Sequence, residues 1–243
     1  MEELFLKALN KELVPALGCT EPIAIALAAA TAIKHVKGEK VSELKVLASN
    51  NIIKNAMAVV IPGTGSCGIN LAAALGSLSK NDNKCLEVLN GLNENDIDKA
   101  KNMIKDGLVS VDLAETTKKI FIEVIVKTLE STSRVIIEDL HTNITLIEVD
   151  GKIIKNLSQE DEIQKEENYA FMSIDTIWSF VNKVDISKLQ IVKDSINLNK
   201  KIAQDGLVNS YGLQVGKTIQ ESINKSILSE DMANSAMSLA SAG

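Results

Sequence analysis

The feature that most restricts the fold is the run from Pro22 to Ile33, which is apolar throughout except for Thr31. It falls well short of the roughly 20 residues needed to span a bilayer, so it reads as a helix buried inside the protein. Thr20, Glu21 and Pro22 form its expected start, with Thr20 as N-cap and proline in the first turn, and the helix is expected to run to about His35. With 243 residues, 45% of them apolar, the chain can bury a sizeable core without disulfide staples.

The period of the apolar residues divides the chain into zones. Residues 1–107 read as a helical N-terminal part carrying Leu4, Phe5, Ala8, Leu9 and Leu13 at helical spacing. Further helices are expected over Asn51–Val60, Cys67–Leu78, Asn83–Asn90 and Asn95–Asp106, and a strand over Val41–Ala48. Residues 108–157 read as a β-rich part with strands at Ile120–Thr128, Arg134–Asp139, Ile144–Val149 and Lys152–Lys155. Asp150-Gly151 between the last two is a strong hairpin signal. Residues 158–170 read as an acidic linker, with five acids and one lysine in 158–168.

Residues 171–243 return to helix. Ile174, Ile177, Trp178 and Val181 share one face, and a long pattern runs from Ile186 toward Ile202. The closing Ala236, Met237, Leu239, Ala240 and Ala242 look like a buried helix halted in mid-course. The expected class is therefore α+β: a helical zone, an inserted small antiparallel sheet zone and a second helical zone.

The 26 basic and 32 acidic residues leave a net charge of −6, a field that repels nucleic acid and acidic membrane surfaces. Arg134 is the one arginine, so anions are left to lysines or backbone N–H groups. Cys19, Cys67 and Cys85 are odd in number and lie in unlike settings, which fits reduced thiols in a cytoplasm. The opening MEELFLKALNKEL has no apolar segment of signal-peptide length and reads as mature sequence.

Four short segments can carry chemistry. Gly18-Cys19-Thr20-Glu21-Pro22 sets a thiol just before a helix start, where unpaired N–H groups and the helix dipole favour a thiolate. That thiolate is a nucleophile or a metal ligand; the alternative is a small residue packed at a helix start. Pro62-Gly63-Thr64-Gly65-Ser66-Cys67-Gly68 is expected to open a helix with three glycines whose backbone amides converge on a carboxylate or phosphate, or to be a plain tight turn. It is neither a Walker motif nor the dinucleotide fingerprint.

Ser49 to Asn55 concentrates amides and Lys54 where loop side chains reach a ligand, or serves ordinary capping by Asn50 or Asn51. Asp139-Leu140-His141-Thr142-Asn143 carries one of two histidines, suited to moving protons or simply sitting in a solvated turn. No CxxC or Cys/His spacing links the three thiols into a self-contained metal site.

Taken together and in order, GCTEP, NNIIKNA, IPGTGSCG followed by AAALG, and DLHTN resemble the L-cysteine desulfidases and the related iron-sulfur L-serine dehydratase alpha chains. The resemblance covers essentially the whole chain. It implies a lyase that takes L-cysteine to pyruvate, sulfide and ammonia with a [4Fe-4S] cluster held by three cysteines, the fourth iron open to substrate.

On that resemblance Cys19 is the N-terminal cluster ligand, the other two ligands belong to a C-terminal segment beyond this sequence, and Cys67 and Cys85 match no ligand position. The small amino-acid substrate is expected at Asn50, Asn51, Gly63, Thr64, Gly65, Gly68 and Asn143, with Lys54 or His141 as base. The partner is expected to be a second copy in a homodimer or a C-terminal chain that completes the site. The alternatives are an L-serine dehydratase and a catalytically silent relative acting as an assembly partner.

Overall fold

The computed structural model describes residues 1–16, 18–38, 40–57, 59–79, 81–157 and 169–243. The acidic stretch 158–168, most of the expected linker, lies outside the described residues. The first elements are α1 (Glu2–Glu12), α2 (Thr20–His35), β1 (Val41–Ala48), α3 (Asn50–Ala56), β2 (Val60–Ile61), β3 (Ser66–Cys67), α4 (Ile69–Leu78) and α5 (Glu94–Lys105). They are followed by β4 (Val109–Leu113), β5 (Phe121–Thr128), β6 (Thr132–Glu138), β7 (Ile144–Val149) and β8 (Lys152–Asn156). The closing helices are α6 (Ile174–Lys183), α7 (Gln190–Val208), α8 (Val215–Asn224) and α9 (Met232–Ala242). The class is α+β, as the periodicities require.

The chain forms two compact units, Pro15–Glu167 and Met1–Val14 with Asn168–Gly243. These cut across the zones drawn from periodicity. The first helix of residues 1–107 belongs with the C-terminal helices, and the remainder of that zone folds as one body with the β-rich part.

The first unit is built on a six-stranded sheet of order β4-β1-β5-β6-β7-β8. The sheet is mixed and reaches outside 108–157, because β1 from the helical zone inserts between β4, to which it is parallel, and β5, to which it is antiparallel. Strand alternation sends Leu44, Val46, Ala48, Ile122, Val124, Val126, Val135 and Ile137 to one face, where all are fully buried. α2 packs over that face against β5 and β6, and α4 packs on α2.

Small side chains let the helices approach closely. Ala24, Ala26, Ala28, Ala29, Ala30 and Ala32 are all buried, and α4 meets α2 at Gly76, where a Cβ would run into the backbone of Ala26. Thr31, the one polar residue of the apolar run, is also buried, and its hydroxyl has no partner among the described residues. An unsatisfied buried hydroxyl is costly, so isosteric Thr31→Val is expected to raise stability by about 1 kcal/mol and Tm by roughly 3 °C, read by thermal denaturation.

The Asp150-Gly151 hairpin forms with both residues at positive φ (50° and 75°), as a two-residue type I′ turn demands. Other expectations are corrected. Asn51–Val60 is helical only as far as Ala56, and Val60–Ile61 pairs instead with Ser66–Cys67 in a small hairpin. The glycine segment is the tip of that hairpin rather than a helix opening, and α4 begins after Gly68. Asp82–Glu87 is a 3-10 segment broken at Cys85 (φ 48°) instead of a regular helix. Strand β4 is an addition: its polar Ser110 and Asp112 and its place at the sheet edge hide it from periodicity.

In the second unit Phe5 is buried, stacked on Phe180 (centroids 4.7 Å apart) and edge-on to Phe171 (5.1 Å), while Tyr169 donates to Glu12 at 2.5 Å. α9 touches α8 where the Ser238 hydroxyl donates to the Gly216 carbonyl at 2.8 Å, and touches α7 at Gly206 beside Ala242. α9 is not the buried helix expected from its composition. It buries only Ser238, and Ala236, Met237, Leu239 and Ala240 are exposed, because contact through glycines needs a small-residue face. No helix of the described residues is long and apolar enough to cross a membrane.

Candidate functional site

Cys19, rather than Thr20, is the N-cap of α2; Thr20 is the first helical residue, and the cap makes no side-chain hydrogen bond to the helix. The thiol turns instead to the carboxylate two residues on, donating to Glu21 Oε2 at 2.8 Å. Glu21 Oε1 accepts from Asn55 Nδ2 of α3 at 2.9 Å, so this one carboxylate joins the start of α2 to α3.

The electrostatics overturn the expected thiolate. Burial, followed by the hydrogen bond to Glu21, pushes the Cys19 thiol above its ordinary value. Burial also pushes Glu21 upward, but the hydrogen bonds from Cys19 and Asn55 and the nearby charge of His141 outweigh it and hold the carboxylate low. Burial and the hydrogen bond to Glu21 together outweigh the dipole of the helix start, and the proton stays on sulfur. Glu21→Gln removes that charge. It is expected to lower the thiol's pKa, so that alkylation of Cys19 by iodoacetamide at neutral pH becomes several-fold faster than in the parent. An unchanged rate-versus-pH profile would show that Glu21 does not control the thiol.

The remaining motifs gather at the same place. A Cβ on Gly18 would lie 3.4 Å from Pro62 Cγ, which puts the tip of the glycine hairpin beside GCTEP. Thr64 organises that tip. Its N–H and hydroxyl both donate to the Ile61 carbonyl, and its hydroxyl accepts from Ser66 N at 3.1 Å. Two of the loop's amides are thus already committed. Gly63, Gly65 and Gly68 all have positive φ and open space at the Cβ position.

His141 stands in the β6–β7 turn, near enough to act electrostatically on Glu21. Asn143 braces that turn, its side-chain amide donating to the Glu138 carbonyl at 3.2 Å.

A cleft of about 400 Å³ lies alongside, lined by Ser49, Asn50, Asn51, Lys54, Thr116, Thr117, Lys118 and Lys119. Ser49 caps α3, its hydroxyl accepting from Ile52 N and donating to the Lys119 carbonyl at 2.7 Å. Capping therefore falls to Ser49 rather than to Asn50 or Asn51. Lys118 pairs with Asp139 at 2.7 Å and Glu138 at 3.2 Å, which ties the cleft to the DLHTN turn. Burial lowers Lys118, but those two hydrogen bonds outweigh it and keep the ammonium charged. Among the described residues no carboxylate lines the cleft, and with Lys118 held by Asp139 and Glu138 it is Lys54 and Lys119 that suit a small anion.

The structure thus brings the Cys19 segment beside Pro62 of the glycine hairpin, and sets Asn50, Asn51 and Lys54 in a cleft that Lys118 ties to the DLHTN turn. Sequence reasoning assigns Glu21 and Asn55 no role of their own, although both lie in segments singled out above, and Thr116, Thr117, Lys118 and Lys119 lie outside those segments. Glu21 was detectable as an acid two residues after the thiol, and Thr116–Lys119 as a polar, basic connection ahead of a strand. The Glu21–Asn55 bond spans 34 residues and leaves no local signal.

The described residues do not by themselves fit a three-cysteine iron-sulfur cluster. Cys67 and Cys85 are exposed, on β3 and in the 3-10 segment, and no group of three His, Cys, Asp or Glu able to hold a metal occurs among the described residues. Cys19 supplies at most one donor of such a set.

Fold and site define an α+β protein in which a protonated thiol, a low-pKa carboxylate, an amide and a histidine converge beside a lysine-lined cleft. The chain is similar to a UPF0597 protein of Clostridium perfringens, 42% identical over 234 residues that make up 96% of this chain and 55% of the relative. It is also similar to a UPF0597 protein of Dichelobacter nodosus, 37% identical over 236 residues, 96% of this chain and 54% of the relative. A UPF0597 protein of Alkaliphilus oremlandii is 36% identical over 245 residues, 100% of this chain and 57% of the relative. The chain therefore spans little more than half the length of these relatives. No family model matches it. No solved structure matches it.

Proposed function

We propose that the protein serves a cytoplasmic carbon-sulfur lyase reaction of the L-cysteine desulfidase type, converting L-cysteine and water to pyruvate, hydrogen sulfide and ammonia. The observation that supports this reading is the convergence of the segments around Cys19, Asn55 and Pro62, with the DLHTN turn tied through Lys118 to the lysine-lined cleft. A substrate carboxylate in the cleft meets Lys119, with the amides of Asn50 and Asn51 beside it. The cleft suits it better than the glycine hairpin, two of whose amides are already used.

Lys54 or His141 then takes the α-proton, the Cβ–S bond breaks, and the sulfur leaves and is protonated to hydrogen sulfide. The resulting 2-aminoacrylate tautomerises to the imine, which water hydrolyses to pyruvate and ammonia. An iron-sulfur cluster does not fit on this chain's residues alone, and these proton transfers are assigned without it.

The test is a paired anaerobic assay for sulfide from L-cysteine and pyruvate from L-serine. It is run on the chain alone and with the part of the Clostridium perfringens relative that lies outside the match. Sulfide release in preference to serine turnover is the expected result; the reverse makes the protein a serine dehydratase, and turnover of neither overturns the lyase reading. The absence, among the described residues, of any group of three His, Cys, Asp or Glu able to hold a metal favours one second reading, a silent fold acting as an assembly partner. It predicts a folded chain that takes up no iron in anaerobic reconstitution even with that complementary segment.

A further inference from the structure

The unit made of α1 and α6–α9 is packed with its large apolar side chains outward. Its buried residues among those described are Phe5, Ala8, Ala203, Gly206, Gly216, Ile223 and Ser238, mostly small. Ile174, Ile177, Trp178 and Val181 of α6 recur at i, i+3, i+4 and i+7, so they form one continuous stripe. All four are exposed, Ile174 by 87% and Trp178 by 70%. The opposite side of α6 already holds Phe180 against Phe5.

Scattered apolar residues on a surface are ordinary, but a contiguous helical stripe with a tryptophan at its centre is the composition of an interface core. α7 and the segment after it add Ile202, Val208 and Leu213, all exposed.

We propose that this stripe is the docking face for a polypeptide corresponding to the part of the UPF0597 relatives that lies outside the match. The match runs through 96% of this chain yet only 55% of the Clostridium perfringens relative. In that relative the counterpart of this unit and nearly as much polypeptide again belong to one molecule. In the relative that remainder accompanies every copy of the unit's counterpart, which favours it over a second copy of this chain as the cover. The inference concerns surface chemistry and stands whether or not the chain is a lyase.

The full chain is mixed with the unmatched part of the Clostridium perfringens relative, and binding is followed by size-exclusion light scattering and by fluorescence of Trp178, the chain's sole tryptophan. A one-to-one complex is expected, with Trp178 emission shifting to shorter wavelength as the ring leaves water. Ile174→Glu with Trp178→Glu is expected to weaken it by roughly 30-fold or more, the loss typical of removing a central aromatic anchor. Both residues are exposed, so the far-ultraviolet circular dichroism of the double variant should match the parent, and a Lys54→Ala, Lys119→Ala variant should bind as the parent does.

Absence of a complex at tens of micromolar would overturn the proposal, as would undiminished binding by the double variant. So would self-association of the chain alone with Trp178 buried, which would make a second copy the occupant.

Discussion

Gly76→Ala is expected to destabilise the sheet-containing unit by about 3 kcal/mol, a fall in Tm of roughly 10 °C. Gly76 is the point where α4 crosses α2, and the added methyl would be driven into the carbonyl, Cα and carbonyl carbon of Ala26. Neither helix can withdraw. α2 is also held by β5 and β6, and Ile23, Ile25 and Leu27 along it are fully buried. Relief therefore requires moving a whole helix and opening voids along its length. Gly63→Ala is the control: its φ is +78°, but nothing lies within 4 Å of the added atom, so only the milder cost of a left-handed backbone is incurred. Equal melting of the Gly76 variant and the parent would mean that the two helices do not cross there.

On the lyase reading, with Cys19 as this chain's one cluster donor, Cys19→Ala is expected to reduce sulfide release by on the order of 100-fold in the anaerobic assay, with the fold kept. The substitution removes one part-buried hydrogen bond, worth about 1 kcal/mol, which a core of this size tolerates. Cys19→Ser separates the possibilities. A hydroxyl preserves the bond to Glu21 but lacks the chemistry of sulfur, so the serine variant should be as inactive as the alanine variant. Full activity in Cys19→Ser would reduce Cys19 to a hydrogen-bond donor that positions Glu21.

Much of this fold was legible where a single local force decides it. Val41–Ala48 and Ile144–Val149 were read with their observed limits, because alternation was unopposed by any competing period. Asp150-Gly151 was read because the turn chemistry is wholly local. The glycine segment failed for the opposite reason. Pro62-Gly63 does signal a turn, but the strands it joins are two residues each, too short to carry a period, and their pairing is a tertiary event.

At the site, position along the chain disclosed the thiol but not its protonation. The helix dipole argued for a thiolate, whereas the partner that decides, Glu21, is set by a side-chain rotamer and stabilised by Asn55 from another helix. The clustering of Cys19, Pro62 and His141 was legible only as the co-occurrence of motifs, since residues so far apart in sequence reveal nothing about distance.

The pairing of α1 with the C-terminal helices also has a consequence for the timing of synthesis. Phe5 leaves the ribosome more than 160 residues ahead of the rings that bury it, Phe171 and Phe180. At elongation rates of roughly 5–20 residues per second, the leading helix waits on the order of ten seconds for its partners while the sheet unit folds behind it. During that interval an amphipathic segment with an unshielded aromatic ring stays without the partners that bury it, and it is then a natural target for chaperones.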